Sequence, residues 1–345
     1  GRGDKARALW SRTAAAYGKL GRESADLTKA AGWYSNAASY IANAGDQRGA
    51  REFYGRAAEC HEKVARKATE EQVRVNHLNA AAITFRNAGR DARAKQLFAE
   101  SAGIYEKLAA REKTAEVALG WVRQTAEAWR MAGRSAAGLA AWEAALKRFP
   151  DSGQLPLAAG IWLMNHGIDN SRAADLFLRA REKGTDPGDG VYNALVRAGR
   201  RDEAVAEIRG RLKKAKDVNA VYQQLWKLHQ LGTDAFRAES CRLLETGSPV
   251  LVGGAIQALQ NHGESRNRTI RDALARAATS GKFPAAYRVS AFHLLRGSGA
   301  TRLKVGEKSV ALAAVLEPLF EKPKTAEEFG LAVAAVQGLQ GQGMK

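Results

Sequence analysis

The chain is 345 residues long, sets 54 Lys and Arg against 36 Asp and Glu for a net charge of +18, and is 45% hydrophobic. That length allows two or three domains or one repeat array, and the apolar content excludes wholesale disorder. Two cysteines, Cys60 and Cys241, exclude a disulfide framework or a four-cysteine zinc site, and no run of about 18 apolar residues marks a membrane span.

The N-terminus, GRGDKARALW, has no initiator Met and no apolar signal segment, which suggests a removed leader or a piece of a larger protein. From there one phrase recurs: a helix-like stretch, a short motif ending in glycine, a polar pair, and a second helix-like stretch. The glycines are Gly45, Gly89, Gly133, Gly167, Gly199, Gly232 and Gly263. The first three lie 44 residues apart, and the later spacings run from 31 to 34. Glycine takes the left-handed conformation that closes a helix. Asp46, Asp91 and Asp202 stand where they can cap the next one. Apolar residues recur at three- and four-residue steps, as in Leu97, Phe98, Ile104, Tyr105 and Leu108.

The pattern predicts helices at 4–19, 23–44, 47–68, 70–88, 91–111, 113–132, 135–148, 154–166, 171–183, 188–198, 201–215, 218–231 and 234–245. Further helices are expected at 249–262, 266–280, 284–296, 305–320 and 325–340. Pro187 and its glycine neighbours at 185–190 mark an internal kink, and 318–325 sets off a capping helix. No single pair can bury its apolar face, so neighbouring pairs must stack. The expected fold is all-α, a right-handed superhelical solenoid of stacked antiparallel helix pairs.

These units resemble tetratricopeptide repeats. The best match has Ala126 and Trp129 before Gly133, then Trp142, Ala145 and Pro150. Ala38, Gly45, Ala50, Tyr54 and Ala57 form a second match, and Ala82, Phe85, Gly89, Ala94 and Phe98 a third. Tyr192 to Gly199 is similar to a pentatricopeptide unit, and the proline-led stretches at 249–263 and 284–297 resemble HEAT helices. The resemblance implies three regions: extended tetratricopeptide-like repeats at 1–184, shorter tetratricopeptide- or pentatricopeptide-like repeats at 185–247, and HEAT-like helices with a cap at 248–345.

The sequence lacks the patterns of catalysis. None of its six histidines forms an H-E-x-x-H or other short metal pair, and phosphate-loop, nucleophile-elbow and kinase motifs are missing. Cys60 and His61 are adjacent, so on a helix they point apart. His166 and His262 belong to equivalent turns, and Gly253-Gly254 reads as close helix packing. Trp10, Trp129 and Trp142 fall at core positions, whereas Trp33, Trp121, Trp162 and Trp226 are undetermined. No enzyme, cofactor or metal is therefore expected.

Two surfaces remain. The resemblance implies that the first helix of each pair lines a concave face, which puts Asn36, Asn79, Arg86, Arg123, Glu127 and Arg130 there, a lining suited to an acidic peptide. Separately, residues 197–216 carry a local charge of +5 and residues 264–304 one of +7. Arg200, Arg201, Arg209, Arg211, Lys213, Lys214, Arg266, Arg268 and Arg271 would supply a phosphate-binding patch for RNA or DNA. The leading expectation is a cytoplasmic, non-enzymatic scaffold for a protein or peptide. The alternatives are a nucleic-acid-binding solenoid and a sensor or regulatory segment of a larger protein.

Overall fold

The computed structural model describes residues 2–298, the short strands at 302–305 and 308–311, and residues 329, 330 and 333. It forms two compact units, Gly1–Gly190 and Val191–Lys345, the boundary along the chain falling at the end of the 185–190 cluster. The first unit holds α1 (Arg2–Glu23), α2 (Leu27–Asn43), α3 (Gln47–Lys67), α4 (Glu71–Asn87), α5 (Asp91–Arg111), α6 (Ala115–Met131), α7 (Ser135–Arg148), α8 (Gln154–Asn165) and α9 (Asn170–Glu182). The second holds α10 (Gly190–Arg197, its first residue shared with the boundary), α11 (Arg201–Leu212), α12 (Val218–Leu231), α13 (Thr233–Thr246), α14 (Pro249–His262), α15 (Arg268–Thr279) and α16 (Ala285–Gly297). In the first unit each helix from α1 to α8 packs on its successor, and α9 completes the series on α8. In the second unit α12 packs on α14, α13 on α15 and α14 on α16, besides the contacts of consecutive helices. This neighbour-on-neighbour stacking is that of an all-α solenoid.

The turns explain the punctuation. Gly45, Gly89, Gly133, Gly167, Gly199 and Gly263 all have φ between +61° and +95°. At the first five, the following residue donates its N–H to a carbonyl five positions back, from Asp46 to Ile41, Arg90 to Phe85, Arg134 to Trp129, Ile168 to Leu163 and Arg200 to Leu195. Each turn thereby satisfies a carbonyl that the helix end would leave bare. Gly232 differs: its φ of 161° and ψ of 143° are extended, and it alone joins α12 to α13.

Capping follows the expectation in part. Asp46 accepts from the Gly49 N–H at 2.8 Å. Asp91 and Asp202 instead lie inside the first turns of α5 and α11, where a carboxylate meets the positive end of the helix dipole. Asp26, Asp169, Asp217 and Asn267 also cap their helices with side-chain oxygens.

Alanines fill the close contacts of the first unit, with Ala31, Ala37, Ala57, Ala58, Ala65, Ala81 and Ala82 wholly buried. Larger side chains, among them Leu225, Phe236, Leu259, Leu274 and Phe292, build the core of the second. A Cβ on Gly253 would stand 2.8 Å from the Tyr287 ring, and one on Gly254 would strike Val221, so this pair does serve close packing. Trp142 and Trp162 are buried, Trp10 and Trp129 only half-buried, and Trp226 is exposed.

The helix expected at 305–320 is corrected at its start. Arg302–Val305 pairs antiparallel with Lys308–Ala311, Arg302 opposite Ala311 and Val305 opposite Lys308. Residues 302–305 alternate basic and apolar side chains, and Gly306-Glu307 separates them from 308–311, a hairpin pattern that outweighs the helical reading. The rest of that helix and the break at 318–325 lie outside the described residues, as does the helix at 325–340 except for 329, 330 and 333.

Candidate functional site

Odd- and even-numbered helices treat their surfaces differently. Between α2 and α16, all the exposed large apolar side chains among the described residues lie on even helices: Val73 and Ile83 on α4, Val117 on α6, Ile161 on α8, Val196 on α10 and Trp226 on α12; α1 departs from this and exposes Leu9 and Leu20. Ile83 and Ile161 each stand six residues before their turn glycine, and Glu127 holds that register between them. Trp226 stands six before Gly232 in the second unit.

Odd helices carry most of the long-range ion pairs. Glu62 on α3 binds Arg93 of α5, and Arg66 of α3 reaches Glu100 of α5 at 2.6 Å. Glu143 of α7 pairs with Arg172 of α9, and Glu245 of α13 with Arg276 of α15. Glu100 also accepts from Arg74 of α4 at 2.6 Å. Burial opposes its ionisation, but the hydrogen bonds of Arg66 and Arg74 outweigh it and hold the carboxyl below its usual range.

Of the residues expected on a binding face, Arg86, Glu127 and Arg130 come together. Arg86 Nη1 lies 3.6 Å from Met131 Sδ, and Arg130 Nη2 lies 3.1 Å from the same sulfur. Arg130 grips Glu127 in a two-pronged contact of 2.9 and 2.5 Å. His166 Nε2 stands 3.3 Å from that carboxylate. The Arg130 hydrogen bond, with His166 and Trp162 adding to it, keeps Glu127 below the usual carboxylate range. Arg86 remains exposed and has no carboxylate partner among the described residues. Arg123 and Asn36 are exposed as well. Asn79 turns away from this group and donates to the Tyr105 hydroxyl of α5 at 2.7 Å, a helix-to-helix contact.

Several of the basic residues considered for nucleic acid have acidic partners. Arg200 binds Glu203 at 2.6 Å, Arg211 binds Glu207 at 2.9 Å, and Arg209 binds Glu239 at 2.9 Å. Glu239 is wholly buried and also holds Arg242. Arg201, Lys213, Lys214, Arg266 and Arg268 are exposed, and Arg271 is half-buried.

Histidines pair across helices, which the sequence did not signal. His61 Nδ1 is 3.2 Å from His77 Nδ1, so one ring donates and the other accepts. His229 and His262 stack with centroids 4.0 Å apart beside buried Phe236. Burial first, and the neighbouring ring second, push His61 and His262 below the usual histidine value. Among the described residues no group of three or more His, Cys, Asp or Glu could hold a metal ion, and no helix is long and apolar enough to cross a membrane.

A cavity of about 360 Å³ lies between α5, α6 and α7, with Val122, Phe149 and several alanines in its wall.

No protein-family model matches the chain. No curated protein matches it either. Among solved structures it is similar to BtubC (BKLC) from P. vanneervenii, at 17% identity over 60% of this chain and 88% of that one, with a TM-score of 0.34.

Proposed function

We propose that this chain is a non-enzymatic, tetratricopeptide-like scaffold, with HEAT-like pairs towards its C-terminus, that binds a protein segment along the even-helix face of its first unit. The observation that carries the reading is the asymmetry of the surface. From α4 to α12 the exposed apolar side chains stand on the even helices, while from α3 onward the odd helices tie their charges to one another. Exposed apolar groups beside polar ones mark interaction surfaces. Ile83 and Ile161 offer contacts for apolar anchors, and Arg86 and Arg123 offer unpaired guanidinium groups among the described residues. A segment with apolar residues flanking a carboxylate complements that arrangement.

The test places a photo-crosslinking residue at 83 or 161 in the intact chain, with exposed Lys107 of α5 as the odd-helix control. Positions 83 and 161 should capture the same protein, and Arg86→Glu should abolish the capture without lowering the melting temperature. Equal capture from position 107, or capture indifferent to Arg86→Glu, refutes the assignment.

A further inference from the structure

We infer that the cavity between α5, α6 and α7 binds a medium-length apolar chain ending in a carboxylate. The 44-residue period sets α3, α4 and α5 in register with α5, α6 and α7. In the earlier set, Glu62, Arg66, Arg74, Arg93 and Glu100 form one ionic network. At the matching places of the later set stand Glu106, Ala110, Ala118, Ala137 and Ala144. Four charges have become methyl groups, and the one that persists, Glu106, accepts the Trp129 indole N–H at 2.7 Å.

Ala110, Ala118 and Ala144 are part of the wall of the resulting space, with Val122, Ala140 and Phe149; Glu106, engaged by Trp129, and Thr125, bonded to the Trp121 carbonyl, are its polar members beside Arg148. Its volume of about 360 Å³ lies towards the lower end of ligand pockets, which span roughly 300–1,000 Å³. The space opens to solvent past Ala140 and Ala144, but most of its wall is alanine, valine and phenylalanine, which favours hydrocarbon over water there.

A cation has been added at the edge. Arg148 stands where the earlier set has Ile104. It donates from Nη1 to the Ala109 carbonyl at 3.0 Å and from Nη2 to the Glu112 carbonyl, and its guanidinium carbon lies 4.9 Å from the centre of the Phe149 ring. A guanidinium has five N–H groups, so these two bonds leave a fixed cation with donors to spare for a carboxylate.

Dodecanoate and dodecanol titrated calorimetrically into the intact chain test the assignment. Dodecanoate should bind saturably at one site, and dodecanol roughly tenfold or more weakly, the worth of a charge-assisted contact. Arg148→Met should weaken dodecanoate by a similar factor and leave dodecanol unchanged. The double change Ala118→Arg with Ala144→Glu restores the Arg74–Glu100 pairing of the earlier set and should abolish binding. Ala144→Leu, at an exposed helix position, fills the same space without charge and should do likewise if the double variant fails to fold. Absence of saturable binding, undiminished binding with the cavity filled, or equal affinity for acid and alcohol overturns the inference.

Discussion

Glu239 provides the sharpest test of how the second unit holds its charge. Its side chain is wholly buried, yet it carries a carboxylate gripped by two arginines. Arg209 donates from Nε to one oxygen at 2.9 Å, and Arg242 donates to the other at 2.9 and 2.5 Å. Both arginine side chains remain about half exposed, at 50% and 47%, so each keeps much of its hydration when its partner is lost. The carboxylate has no such recourse. Arg209→Ala or Arg242→Ala alone removes charged hydrogen bonds and should cost about 1.5–3 kcal/mol. The double change leaves a buried charge uncompensated, so its cost should exceed the sum of the singles, which is about 3–6 kcal/mol. Adding Glu239→Gln to the double variant removes the charge and should recover most of that excess. Urea unfolding followed by circular dichroism, with the denaturant slope checked for constancy, measures all four differences. Strict additivity of the two arginine changes, or a triple variant no more stable than the double, would refute the reasoning.

The remaining tests address packing, turns and pH. Trp142→Ala empties the largest fully buried side chain and should cost about 3–5 kcal/mol in the same unfolding assay. Gly133→Ala, at φ +78°, should destabilise by about 1–2 kcal/mol. By contrast Gly120→Ala, inside α6 with open space around its Cβ, should stabilise by about 0.5–1 kcal/mol. His61 and His262 have lowered values when folded, so the unfolded chain binds their protons more readily. Their contribution should be complete above the ordinary histidine value of about 6.5 and decline as pH falls below it. Melting temperatures of wild type, His61→Gln and His262→Gln between neutral and mildly acidic pH should show a smaller acid-side loss in the variants, and parallel curves would contradict the argument.

Helix boundaries were legible because glycine leaves a local signature. The left-handed turns at Gly45 through Gly199 use only backbone atoms within one hairpin, so a short window of sequence contains the cause. Gly232 escapes this logic, since its backbone is extended and it joins α12 to α13 without the left-handed turn. Strand pairing at 302–311 escapes a helical reading because four alternating residues at 302–305 are easily absorbed into a helical period. At the candidate site, the register of Arg86 and Arg130 could be read, but not their meeting at Met131, which needs α4 and α6 side by side. Asn79 looked equivalent to Arg123 by position, yet its short amide reaches Tyr105 and packs inward. The basic runs were likewise visible as composition, whereas their pairing with Glu203, Glu207 and Glu239 depends on folding.

The self-closed glycine turns have a consequence for how such a chain can change over generations. Because each bend draws its hydrogen bonds from its own few neighbours, lengthening or trimming the helices on either side leaves the bend intact. Successive hairpins can thus differ in height, as the intervals of 44, 34 and 32 residues from Gly45 to Gly199 show, without a new way of reversing direction having to arise each time. Variation is thereby steered onto the flanks of the rods, where a salt-linked cluster in one copy can become a hydrocarbon-lined hollow in the next.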